Sequence, residues 1–167
     1  MIERSPGIKN LKCSWNRFAR EVASIVRLIF RHMTWANAYV FDCLSVLTEE
    51  QLLMVAPNDD WSAAAILEHL SGASARYADI LDGLGNTETT IPRNSAEVLA
   101  LKEITSAIDA RMRVAAKTPE GFVEYSGEDR LIRRARQTIL AQIIHHATEH
   151  RAQIAGIYAS HGMKVVD

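Results

Sequence analysis

Apolar residues recur at three- and four-residue steps through four separate stretches of this chain, and that period selects helices over strands. The first stretch runs from about His32 to Leu47, with Trp35, Ala36, Tyr39, Val40, Cys43 and Leu47 on the repeat, and the turn at Ala56-Pro57-Asn58-Asp59-Asp60 breaks the pattern. Asp60 or Ser62 can cap a second helix reaching about Leu84, whose apolar positions are Ile66, Leu67, Leu70, Ala73, Tyr77, Ile80, Leu81 and Leu84. Gly83 and Gly85-Asn86 are natural stop signals. After a loop at Thr87 to Arg93, Asn94 or Ser95 can cap a third helix to about Ala116, with Val98, Leu101, Ile104, Ile108 and Met112 inward. Pro119 and Gly121 close it, and the alternation from Phe122 to Arg130 suggests a short hairpin or an ordered loop. The last helix runs from Arg136 or Thr138 to Ser160, and Gly162 ends it. Four amphipathic helices with short connections predict an all-α four-helix bundle over residues 32–167.

Residues 1–31 stand apart as a basic N-terminal extension. Arg4, Lys9, Lys12, Arg17, Arg20, Arg27 and Arg31 face only Glu3 and Glu21 in charge, while Phe18, Val22, Ile25, Val26 and Ile29 fall roughly on one side. Three readings stay open: a helix continuous with the first bundle helix, a loosely ordered leader before Met33, or a targeting or membrane-surface segment.

The net charge of −1 supplies no global field toward nucleic acid or an anionic membrane, so neither is an expected partner. Cys13 and Cys43 match no zinc-ligand spacing and form no disulfide framework, which makes a reducing, cytoplasmic setting the default. No apolar run approaches the ~18 residues of a membrane-spanning helix.

The chemistry lies near the C-terminus. His146 and His150 are four apart on the last helix, so they stack on one face and can share a metal ion. On a wheel of about 100° per residue the apolar positions Ile139, Leu140, Ile143, Ile144, Ala147, Ile154, Ile157 and Tyr158 span about 140°, and both histidines lie at one edge of that stripe. His145 falls on the opposite side. Two boundary histidines can equally be bonded to water, and a metal usually takes three protein ligands. His69, on the flank of the second helix between Ile66 and Ala73, is the other histidine inside a core helix, and a bundle can bring it over the pair. His32 and His161 sit at helix ends, where a surface role is expected.

His146-Ala-Thr-Glu149-His150 also spells the inverted H-x-x-E-H zincin pattern, with Glu149 as general base. That pattern needs a further acidic ligand downstream, where only Asp167 stands, and the wheel points Glu149 away from the histidine pair. No Gly-rich phosphate loop and no Gly-x-Ser-x-Gly elbow occurs. Arg130, Arg133, Arg134 and Arg136 form a basic cluster without interleaved aromatics, which reads as a solvated strand or helix start or as a site for a small anion.

Three motifs in order resemble the DinB-like family of metalloproteins, also described as DinB/YfiT-like metalloenzymes. Met33-Thr34-Trp35-Ala36-Asn37 resembles its aromatic-Ala-Asn opening of helix one. Trp61-Ser62 with Ile66-Leu67-Glu68-His69-Leu70 is similar to its W-S-x-x-x-I-L-x-H-L helix two. His146 to Ile154 is similar to its H-x-x-x-H-R-x-Q-I helix four, with Ala152 where relatives often have Gly. The resemblance implies a four-helix bundle with a divalent metal, commonly zinc or nickel, on His69, His146 and His150. It implies Arg151 and Gln153 as residues supporting those ligands. It also implies a thiol-dependent transferase using a low-molecular-weight thiol, or a hydrolase, acting on a small-molecule substrate and frequently homodimeric. The competing expectations are a non-enzymatic, stress-related or damage-inducible metal-binding protein, and a structural dimer whose histidines bind nothing.

Overall fold

A computed structural model describes residues 7–57, 59–85, 87–127 and 129–166, and for residues 7–20 and 23 it describes the backbone alone. The described residues form α1 (Gly7–Leu44), α2 (Glu49–Leu52), α3 (Ala63–Asp82), α4 (Ser95–Ala115), β1 (Phe122–Ser126), β2 (Leu131–Ala135) and α5 (Arg136–Ser160). The four long helices make the expected bundle: α3 packs on α4 and α5, and α1 closes the ring against the same two. None of the described helices is long and apolar enough to cross a membrane.

Helix ends follow the local chemistry. Ser62 caps α3, its Oγ accepting the Ala65 amide, and Gly83 ends that helix at φ 73°, a left-handed position that costs glycine little. Asn94 caps α4 by accepting the Glu97 amide at 3.0 Å. The one-turn α2 is too short to show a repeat in sequence; Thr48 and Gln51 hold it with a reciprocal capping box.

The structure redraws the first helix. α1 runs unbroken through position 31 and stops at Leu44, short of the expected Leu47. Residues 1–6, and the side chains before Glu21, lie outside the described residues, so the expectations for Arg4, Lys9, Lys12, Cys13, Arg17, Phe18 and Arg20 fall there. Trp35 and Tyr39 fall on the apolar repeat of the sequence, which would turn them toward a core. Instead Trp35 is 63% exposed, and the two rings stack on each other outside the bundle at 5.9 Å. The buried face is Phe30, Met33, Asn37, Val40, Phe41 and Leu44, a three- and four-step stripe that includes a polar residue. Leu84, expected at the end of the second helix, lies beyond the Gly83 cap and is exposed.

Two apolar cores stack along the bundle. One gathers Phe30, Met33, Leu81, Ile108, Met112, Ile139 and Ile143; the other gathers Phe41, Leu44, Leu52, Ile66, Leu101, Ile157 and Tyr158. Between them in sequence on every long helix stand the buried polar residues Asn37, Ser71, Ser74, Thr105 and His150, and Asp109 is buried one turn after Thr105. The bundle therefore carries a polar layer at mid-height.

The expected hairpin pairs antiparallel from Phe122↔Ala135 to Ser126↔Leu131. β1 lies against α3, and β2 leads straight into α5. Gly127 makes the turn possible: a Cβ there would stand 2.7 Å from Ile132 Cδ1 and 3.1 Å from the Arg130 carbonyl. Alternation puts Val123, Tyr125, Ile132 and Arg134 on one face of the hairpin, and Val123 packs onto the bundle core.

Candidate metal centre

His69 projects from α3 and His146 and His150 from α5, and the packing of these two helices brings all three rings together. Ring centroids are 4.2 Å apart for His146 and His150, 4.9 Å for His69 and His150, and 5.2 Å for His69 and His146. The nitrogens that converge are the Nε2 atoms, 3.0 Å apart between His146 and His150 and 3.3 Å between His146 and His69. A tetrahedral ion at about 2.0–2.1 Å from each nitrogen would set them roughly 3.3 Å apart. Among the described residues this trio is the one cluster of side chains whose ligand atoms are close enough to hold a metal.

Supporting groups fix the rings. His150 Nδ1–H donates to Gln153 Oε1 at 2.6 Å, which leaves its Nε2 lone pair aimed at the other two rings. Trp61 places its ring against His69 edge-on at 4.8 Å, and Tyr77 flanks His146 at 6.0 Å. His146 Nδ1 is buried without a hydrogen-bond partner among the described residues. Three imidazoles cannot satisfy one another, because a single proton on His146 Nε2 cannot serve both neighbours. A cation at the convergence point answers all three lone pairs, so the donor set fits a divalent metal.

Burial and neighbouring charge favour the neutral form of His146 and His69. Burial, then the charges of His150 and His69, push the His146 pKa down to about 4. Burial and the His150 charge also lower His69, partly offset by Glu68. A neutral imidazole is the form that binds a metal. His150 is 8% exposed, more deeply set than an edge position suggests.

His69 and His146 open onto a cavity of about 480 Å³ bounded by α3, α5 and the hairpin, whose lining includes Ala73, Arg76, Tyr77, Tyr125, Arg134 and Gln142. His150 and His69 open on their other side onto a smaller space of about 260 Å³ beside Trp61 and Gln153.

Not every expected residue joins the centre. Arg151 turns instead to Asn37, donating to its Oδ1 at 2.6 Å, and to Thr148 Oγ1 at 3.1 Å. Asn37 Nδ2 in turn donates to both carboxylate oxygens of Asp109, at 3.1 and 3.3 Å. The Asn37 and Arg151 positions of the two motifs thus meet in a network tying α1, α4 and α5, and Asp109 is the member that sequence reading missed. Its signal was positional: Thr105, Ile108, Asp109 and Met112 share the buried stripe of α4. Burial raises the Asp109 pKa to about 6, against the pull of the Asn37 hydrogen bond and the charges of Arg113 and Arg151. Glu149 and His145 are exposed, as the wheel places them, and His161 bonds the Val55 carbonyl at 2.9 Å.

The family model described as the DinB family matches residues 18–166. No curated protein matches the chain, and no solved structure does.

Proposed function

The chain belongs to the DinB family, and from that premise we propose that it is a metal-dependent enzyme whose centre is His69, His146 and His150. The observation that carries this is the convergence of three Nε2 atoms, 3.0 and 3.3 Å apart, at the wall of an open cavity. Zinc or nickel suits three neutral imidazoles, and three protein ligands leave a position for water or substrate. Such an ion supplies Lewis acidity, lowering the pKa of a water or a low-molecular-weight thiol to give a nucleophile near neutral pH. The reaction class is then thiol-dependent transfer or hydrolysis of a small molecule. Gln153 holds the proton on His150 Nδ1 and so presents Nε2, while Trp61 and Tyr77 fix the other two rings. Exposed apolar side chains at Val22, Ile25, Leu28 and Ile29 on α1 support a homodimer as part of the same proposal.

The test is elemental mass spectrometry on untagged protein beside the His69→Ala variant, followed by thiol-transfer and hydrolysis screens on the loaded protein. About one divalent ion per chain, lost in the variant, supports the centre. No metal after reloading with zinc or nickel overturns it. Metal without turnover of any thiol acceptor or ester favours the non-enzymatic metal-binding alternative.

A further inference from the structure

The arginines that form one basic cluster in sequence are separated by the fold. Arg133 faces outward, pairing with Glu124 at 3.6 Å and lying over the Phe122 ring at 3.9 Å. Arg136 donates to the Leu81 carbonyl at the end of α3 and to the Thr118 carbonyl, both at 2.9 Å. Arg130 is exposed in the hairpin turn. Arg134 alone of the four lines the cavity beside the histidine centre. Its Nε donates to the Tyr125 hydroxyl at 3.1 Å, which orients the guanidinium and leaves its other donors available.

A second guanidinium reaches the same cavity from α3. Arg76 lines it, and also lines the adjoining cleft of about 420 Å³. Arg76 has no ion pair among the described residues. Asp79, in the adjoining cleft, is already held by Arg111 at 2.6 Å. Among the described residues no carboxylate lines the main cavity; Ala73, Ile80 and Ile139 supply its apolar wall. The space thus has two cationic forks, an apolar body and, at one side, His69 and His146. Arginine forks match planar oxyanions with paired hydrogen bonds.

We propose that this cavity selects a small organic acid, with Arg76 and Arg134 binding its carboxylate and its apolar body lying toward the histidine centre. The hairpin is then the specificity element, because it delivers both Arg134 and Tyr125. The inference rests on the metal-dependent reading of the histidines for its reactive end, but the binding of the carboxylate does not need the metal.

The experiment is calorimetric titration of the full chain with 3-phenylpropionate and, separately, with its neutral amide. Each titration is run on zinc-loaded and on metal-stripped protein, with metal content measured in parallel. In stripped protein no ion is present to attract the carboxylate, so the arginines act alone. The acid is expected to bind both forms, with the amide at least about tenfold weaker. Arg76→Gln and Arg134→Gln should each weaken the acid by about tenfold while keeping wild-type metal content. Arg133→Gln, the same charge change on the outer face of the same strand, should leave binding unchanged. Equal binding of acid and amide overturns the inference, and so does an Arg133→Gln loss equal to that of Arg134→Gln. Metal bound with no acid binding defeats the carboxylate site alone. Acid binding in a protein that takes up no metal defeats the metal centre alone and upholds the carboxylate site.

Discussion

Two polar clusters meet at neighbouring residues of α5, and they treat hydrogen bonding in opposite ways. On the Arg151 side, Asn37 accepts from the guanidinium and donates to both oxygens of Asp109, so cation, amide and anion are matched in one chain of bonds. Ser71 and Thr105 beside them share a hydroxyl contact at 2.8 Å and bond back to the Leu67 and Leu101 carbonyls. On the His150 side, three Nε2 atoms point at one another and His146 Nδ1 is buried without a partner among the described residues. A buried polar group without a bond costs about 1–3 kcal/mol. One cluster satisfies its own bonds, and the other is a set of three histidines that could hold a metal ion. The first cluster should therefore govern stability and the second metal binding.

The largest expected effect breaks the satisfied cluster. Asp109 is 1% exposed, and Asp109→Ala leaves the buried Asn37 amide without its acceptor and Arg151 without a nearby negative charge. A loss of about 3 kcal/mol in urea unfolding is expected, the upper end for leaving a buried polar group without its partner. At a temperature where the variant stays folded, its metal content should equal that of wild type. If the variant instead loses metal as readily as His69→Ala, the two clusters are one unit and the contrast collapses.

Acidity probes both clusters at once, because their shifts have opposite signs. Burial raises Asp109 from 3.8 to about 6, so the folded state holds the proton more tightly than the unfolded chain. Its contribution to stability is greatest below pH 3.8 and is lost as pH rises through about 6. His146 is lowered from 6.5 to about 4, so its contribution runs the other way: stability falls as pH drops from 6.5 toward 4. In chelator-treated wild type these trends offset each other. Asp109→Asn removes the first, so the stability curve between pH 4 and 6 should tilt toward loss in acid by about 2–3 kcal/mol relative to wild type. Urea midpoints measured across that range check it. Parallel curves for the two proteins would mean that Asp109 stays ionised in the fold.

How much of this was legible in the sequence depends on which residues carried a signal of their own. The four long helices followed from apolar steps of three and four, and His69, His146 and His150 emerged together from three ordered motifs. The inward face of α1 did not. Trp35 and Tyr39 are large and apolar, so they drew the stripe toward themselves, while the true face has Asn37 at its centre. An asparagine on a buried stripe looks like an error until its partners are known, and those partners lie 72 and 114 positions away. Asp109 was hidden for the same reason. The separate roles of the arginines depended on strand alternation within a hairpin whose register only the folded chain reveals.

Gln153 gives a smaller and more specific test of the unsatisfied cluster. It accepts from His150 Nδ1 at 2.6 Å and so fixes which nitrogen is presented. Gln153→Leu should lower metal affinity by about 10–100-fold, the usual range for loss of a residue bonded to a ligand histidine. Gln153 is exposed, so global stability should hardly move. Competition against a chelating dye measures the affinity. An unchanged affinity would mean that Gln153 does not orient His150, and that the helix alone sets the ring.

The smallest effect is expected where an interior substitution normally hurts most. His146→Leu replaces a half-buried ring with an apolar side chain and removes the nitrogen that lacks a partner among the described residues. It also relieves the crowding of Nε2 lone pairs. In metal-free protein these gains offset lost ring contacts with Tyr77 and the other histidines, so the unfolding free energy should shift by no more than about 1 kcal/mol. Adding zinc should then separate the proteins. Wild type gains stability with the logarithm of free metal concentration, and the variant does not. A large loss in the metal-free variant would show His146 to be a structural residue like Asp109. Near-neutrality without metal and divergence with it would place the cost of the three-histidine arrangement in the free protein and its benefit in the bound one.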